Sequence, residues 1–188
     1  MNRREVLRYT ALGTGTAVFA PLLSTILSGC GTGVTEAAEN YQPIAFTADQ
    51  FSLVRDIADI ILPATETPSA TDVNVHITID EIVARTYEDA DKATYLEGFA
   101  DLEKWLAAQK YSELSNAEKE SLLINLETNP EGGNDLVRTA YLHFKQQVIA
   151  FYLSSEQIAE NELNYLPVPG TYEPCINLEE VGNKKWAI

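Results

Sequence analysis

Apolar residues recur at helical spacing along most of this chain, and that periodicity constrains the fold more than any other feature. Stripes of this kind lie within residues 48–62, 91–110 and 134–153, and a shorter one follows Ser115. Residues three or four apart share one face of a helix, so each stripe gives its helix a side to bury. Five main helices with short loops and no sustained strand pattern predict an all-α domain, a compact helical bundle.

Short polar motifs mark where the predicted helices begin and end. Thr47 and Gln50 form a capping box before the first stripe, and Pro63 ends it. A second capping box begins at Ser115. Ser155 is predicted to cap a last short helical turn over residues 156–162.

One segment carries two conflicting patterns. Apolar residues alternate with polar ones from Val73 to Ile79, which is typical of a strand. Thr78 and Glu81 nevertheless have the spacing of another capping box. We expect an extended lead-in followed by a helix over about 79–88, and a short edge strand is the alternative.

The first 29 residues have the features of an export signal. Arg3 and Arg4 form the adjacent pair of a twin-arginine signal, and no charge occurs from Tyr9 to Thr35. The sequence from Leu27 to Cys30 matches a bacterial lipobox, in which the cysteine becomes the lipidated first residue. An uncleaved membrane helix is the alternative, although proline and glycine interrupt the apolar stretch.

These features predict three parts: a signal peptide over 1–29, a lipidated flexible tether over 30–45, and a helical domain over 46–188. We expect export by the twin-arginine route to the bacterial cell envelope, with the protein facing the periplasm and anchored to a membrane by lipid. Residues 1–29 hold three arginines and one glutamate, so their removal takes the net charge from −15 to −17. Such an acidic chain repels phosphate backbones, which excludes nucleic-acid partners.

The residue types needed for chemistry are scarce. Two cysteines and two histidines cannot supply a c-type haem motif or an ordinary iron–sulfur site, and no catalytic motif occurs. We predict no catalytic, cofactor-binding or metal-binding residue in this chain. Asp56 and Asp59 are interpreted as solvated carboxylates, and His143 as a packing or rim histidine. His76 lies in the ambiguous segment and receives no role.

The C-terminal segment, residues 163–188, differs from the rest of the chain. It combines three prolines with aromatic and aliphatic residues, which is too apolar for a disordered tail. It must therefore lie on its own helices or on another chain, and both alternatives stay open. Lipidation of Cys30 would leave Cys175 as the one remaining thiol. We favour a buried thiol there over a disulfide with another chain or a reactive group. The candidate partner-binding residues are Tyr165, Pro167, Pro169, Tyr172, Cys175 and Trp186.

Two stretches resemble a known family. The first runs from Phe46 to Tyr87 and includes the helix end Ala58–Pro68. The second comprises Phe151–Glu156, followed by Pro167–Tyr172 and Cys175. Together with a twin-arginine leader, they resemble the gluconate 2-dehydrogenase subunit 3 family. The resemblance implies the small, non-catalytic subunit of a membrane-associated, FAD-dependent sugar or sugar-acid dehydrogenase.

The resemblance also implies partners. The catalytic chain of such a complex is a large FAD flavoprotein of the glucose–methanol–choline type, which often lacks an export signal and crosses with the small subunit. A cytochrome c subunit that takes the electrons is a further expected partner in some complexes. FAD and haem would thus be carried by other chains. The alternative function is a free-standing envelope lipoprotein that acts as a binding or scaffold module.

Overall fold

Six α-helices make up most of the part of the chain that the structure, a computed structural model, describes: residues 41–129, 135–168, 170 and 175–187. They are α1 Ala48–Ile61, α2 Val75–Arg85, α3 Asp89–Ala108, α4 Asn116–Thr128, α5 Asp135–Ser154 and α6 Glu156–Asn161. No strand occurs among the described residues, which confirms the predicted all-α bundle. Residues from Gln42 onwards form one compact unit.

Helix α1 begins and ends where the sequence predicts. The Thr47 hydroxyl accepts a hydrogen bond from the Gln50 amide at 3.2 Å, and the Gln50 side chain accepts one from the Thr47 amide at 3.2 Å. This capping box satisfies two amides that an unpaired helix start would leave without partners. The helix ends just before Pro63, after burying Val54 and Ile57.

Helix α2 corrects the prediction for the ambiguous segment. The helix starts at Val75 after Asn74, whose backbone is left-handed at φ 60°, so neither the extended lead-in nor the edge strand occurs. Val75, Ile79 and Val83 are all buried, and this four-residue spacing is helical. Because a four-residue repeat also fits an alternating pattern, the sequence suggested a strand.

The expected capping box at Thr78 is absent because Thr78 lies inside α2, where its hydroxyl donates to the Asn74 carbonyl at 3.2 Å. Asp80 of the same helix makes a long-range contact. Its carboxylate is fully buried and accepts hydrogen bonds from the amides of Ile44, Ala45 and Phe46 at 2.7, 2.9 and 3.0 Å. These bonds compensate the cost of burying a charge. They also fix the chain just before α1, so the last residues of the predicted tether are held against the bundle.

Helix α5 is the centre of the bundle, because it contacts each of the other five helices described. Its partner α3 has the same length of 20 residues, and the two pack along one another. Phe99 on α3 and Phe144 on α5 meet with ring centroids 5.6 Å apart. Burial of such aromatic pairs contributes much of the stability of a small bundle.

The remaining helix starts are partly as predicted. Ser115 and Glu118 form the expected capping box at α4. Ser155 does precede α6, but its hydroxyl donates to the Tyr152 carbonyl at 2.7 Å instead of capping the helix. No helix among the described residues has the length and apolarity needed to cross a membrane.

Candidate docking surfaces

Asp56 and Asp59 of α1 each contact another part of the fold. Asp59 accepts from the Thr71 amide at 3.0 Å and from its hydroxyl at 2.7 Å, so it holds the loop after α1. Asp56 forms an ion pair with Lys119 of α4 at 2.9 Å. Their interpretation as merely solvated is therefore wrong, because both join separate elements. The described residues contain no cluster of His, Cys, Asp and Glu that could hold a metal ion.

His76 is buried at the start of α2, beside the ring of Phe51 at 5.4 Å. Its Nδ1 has no hydrogen-bond partner among the described residues. Burial, and to a smaller extent the charge of Arg55, lowers the pKa of His76 to about 4, although Asp59 opposes the shift. The side chain is therefore a neutral part of the core at neutral pH.

The C-terminal segment folds back to meet the end of α6. The Asn164 amide donates to the Lys185 carbonyl at 2.7 Å, and the Ala187 amide donates to the Asn164 carbonyl at 3.1 Å, which gives a short parallel bridge with Trp186. The Lys184 ammonium also donates to the Asn161 carbonyl. These contacts position the segment through its backbone and one lysine.

Leu163 of the C-terminal segment packs against the bundle core, but the described apolar side chains from residue 165 onwards neither belong to the core nor pack against it. Val168 is 81% exposed and Trp186 is 50% exposed. We call these exposed side chains the terminal apolar set: Tyr165, Leu166, Val168, Ile176, Leu178 and Trp186.

The predicted partner-binding residues can now be compared with the structure. Tyr165, Pro167 and Trp186 are exposed and lie in the terminal segment. Cys175 is an exposed free thiol, so the favoured interpretation as a buried thiol is wrong. The described residues around Cys175 do not belong to the bundle core, and a count of cysteines could not reveal this. Pro169 and Tyr172 lie outside the described residues, as do Arg3, Arg4 and Cys30.

A second surface feature was not predicted from the sequence: a groove between α3 and α5 with a volume of about 650 Å³. Its floor includes the buried Tyr95 and Phe99, and the two helices approach closely at Gly98, where a β-carbon would lie 3.3 Å from that of Ala140. His143 lies on its rim, as the sequence analysis expected. The whole set of lining residues is drawn from α3, α5 and Tyr87 just before α3.

A hydrogen-bonded chain fixes the aromatic end of this groove. The buried Tyr95 hydroxyl donates to Gln147 Oε1 at 2.6 Å, and Gln147 Nε2 donates to the Tyr87 hydroxyl at 2.7 Å. Burial, and to a smaller extent Tyr87, raises the pKa of Tyr95, so its hydroxyl stays protonated and remains a donor. The rings of Tyr87 and His143 each stand edge-on to Tyr95, at 5.6 and 5.5 Å.

The two stretches that carry the family resemblance meet in the structure. Tyr152 of α5 donates from its hydroxyl to the Pro68 carbonyl at 2.8 Å and lies 3.2 Å from the Thr67 hydroxyl. The contact joins residues more than 80 positions apart and anchors the loop that follows α1. In this chain the two stretches are therefore joined by a direct contact.

The protein is thus an all-α bundle, and its terminal apolar set does not pack against the core. Residues 48–170 match the family described as gluconate 2-dehydrogenase subunit 3, and the chain belongs to that family. The family is that of a subunit of a dehydrogenase complex, which is consistent with an accessory role beside a catalytic partner. Searches of curated proteins and of solved structures find no match.

Proposed function

We propose that this protein is the non-catalytic small subunit of a membrane-associated, FAD-dependent dehydrogenase of the glucose–methanol–choline type. In this proposal it accompanies the flavoprotein during export, stabilises it and anchors it at the membrane. Family membership supports a complex with a catalytic chain. The flavoprotein would carry the FAD, and in complexes with a cytochrome c subunit that chain would carry the haem.

The observation that carries this proposal is the terminal apolar set. Large apolar side chains exposed together in one segment are a common feature of protein interfaces. Backbone hydrogen bonds join Asn164 to Lys185 and Ala187 within the segment, and Lys184 links it to the end of α6, so its apolar side chains remain available. Aromatic residues such as Tyr165 and Trp186 are the type most enriched among residues that dominate binding energy. We therefore assign the flavoprotein contact to this segment.

Co-purification from the native host tests the proposal. An affinity-tagged chain should bring down a large flavoprotein, recognised by its flavin absorbance and by mass spectrometry. An untagged strain serves as the control for non-specific recovery. A chain that purifies as a colourless, stable monomer would instead support the free-standing envelope lipoprotein.

Export and anchoring are tested with two further variants. Changing Arg3 and Arg4 together to lysine should block export, because the twin-arginine route requires the guanidinium pair. Cys30→Ala should release the protein and its complex from the membrane, since stable attachment needs at least two lipid chains. Normal envelope levels of the lysine variant, or mature protein with no added mass at Cys30, would contradict these parts of the proposal.

A further inference from the structure

The groove between α3 and α5 has a charge pattern that the proposed function does not use. Among the described residues, three carboxylates line it, those of Asp91, Glu97 and Asp101, and no lysine or arginine does. Asp101 is already paired with Lys104 at 2.9 Å. Asp91 and Glu97 are exposed and form no ion pair within 4 Å with another described residue, although Lys104 also interacts electrostatically with Glu97. The described lining therefore carries net negative charge above an aromatic floor, because one lysine faces three carboxylates.

We propose that this groove binds an arginine-bearing segment of the catalytic partner. Aromatic faces and carboxylates together favour a cation over a neutral apolar group, because the ring quadrupole and the carboxylates attract the same charge. Arginine fits better than lysine, since its planar guanidinium stacks on rings and bonds carboxylates through two N–H groups.

The size of the groove indicates a segment, not a single side chain. Its volume of about 650 Å³ lies within the usual range of ligand pockets, roughly 300–1,000 Å³. An arginine would occupy the acidic, aromatic end beside Tyr87 and Tyr95. The apolar surface of Gly98 and Ala140, where the helices approach closely, would accept the neighbouring residues of the same segment.

The aromatic end of the groove is built before any ligand arrives. Gln147 holds Tyr95 and Tyr87 through one hydrogen bond each, so neither ring must be ordered on binding. Tyr87 uses its oxygen as an acceptor in that chain, which leaves its own hydroxyl proton as a donor. Preorganised sites of this kind lose less entropy when they bind.

The first part of the test uses the full mature protein and n-butylguanidinium as the probe, followed by NMR. The neutral control is n-butylurea, which has nearly the same shape without the charge. Saturable shifts around Gly98 and Ala140, with binding at least about tenfold tighter than for n-butylurea, are expected. Equal binding of the two compounds would overturn the inference.

The second part uses paired charge variants. Asp91→Asn with Glu97→Gln should weaken binding of n-butylguanidinium and of the flavoprotein at least about fivefold. Glu120→Gln with Glu160→Gln removes the same charge from exposed sites outside the groove and should change both affinities less than about twofold. Both variants should unfold within a few degrees of the parent, since Asp91 in the first turn of α3 contributes at most about 1 kcal/mol to helix stability. Equal affinities of the two double variants would overturn the inference.

This inference rests on the proposed function, and the two can fail separately. If the parent protein recovers no flavoprotein, the proposed function is wrong. Binding of n-butylguanidinium then still tests whether the groove is a guanidinium site. A flavoprotein recovered equally by both double variants leaves the proposed function intact and removes the groove as its binding site.

Discussion

The helical bundle and the terminal segment use the same kinds of residue in opposite ways. In the bundle, Phe144 and Val148 are completely buried and every helix contributes to one core. In the terminal segment, Val168 and Trp186 are largely exposed although the segment folds back onto α6. Burial therefore distinguishes the apolar residues that stabilise the domain from those that are available to a partner. Changes in the bundle should lower stability, and changes in the terminal segment should lower binding.

The largest effect should come from the centre of the bundle. Phe144→Ala removes a fully buried ring that packs on Phe99, and should lower the free energy of unfolding by about 3–5 kcal/mol. Denaturant titration of the purified subunit measures this loss. A loss below about 1 kcal/mol would mean that α5 is not the centre of the core.

The next effect concerns the contact that ties the chain before α1 to α2. Asp80→Ala leaves the amides of Ile44, Ala45 and Phe46 without their acceptor and should cost about 3 kcal/mol. Asp80→Asn keeps one oxygen acceptor and should cost less. The two variants are compared by thermal unfolding. Equal stability of both variants and the parent would show that the contact does not hold this segment.

A smaller effect depends on pH through His76. Its folded pKa of about 4 lies below the ordinary 6.5, so the unfolded chain binds a proton that the folded chain does not. Stability should be constant above about pH 7 and fall as the pH decreases from 6.5 towards 4, by on the order of 2 kcal/mol. His76→Leu should flatten this part of the pH profile of unfolding. An unchanged slope in that variant would contradict a buried neutral histidine.

The smallest effect on stability should come from the terminal segment. Trp186→Ala should change the free energy of unfolding by less than about 0.5 kcal/mol but weaken flavoprotein binding by about 2 kcal/mol. Ile124 on α4 is equally exposed, at 50%, so Ile124→Ala is the matched control and should affect neither quantity. Loss of stability in the Trp186 variant, or equal binding by both variants, would remove the contrast between the two regions.

The sequence predicted those features that depend on local pattern. The capping boxes at Thr47 and Ser115 and the long stripe of α5 are local, because each needs only residues three or four apart. The start of α2 was missed, since Val75 and Ile79 fit helical and alternating patterns equally well.

Long-range contacts could not be predicted from the sequence. Asp80 binds amides more than 30 residues away, and Tyr152 reaches a carbonyl 84 residues away. The groove was missed for the same reason, because its lining comes from two helices separated in the chain. The composition of the terminal segment did indicate an unusual role. Only the exposure of its side chains in the structure shows that they do not pack into the core of their own domain.

The central claim is that the terminal segment serves a partner and contributes little to its own domain. Removing residues 165–188 tests it most directly, with thermal unfolding of the isolated subunit and flavoprotein recovery measured on the same variant. The account predicts an unfolding temperature within about 2 °C of the parent and a recovery at least about tenfold lower. A large loss of stability, or full recovery of the flavoprotein, would contradict it.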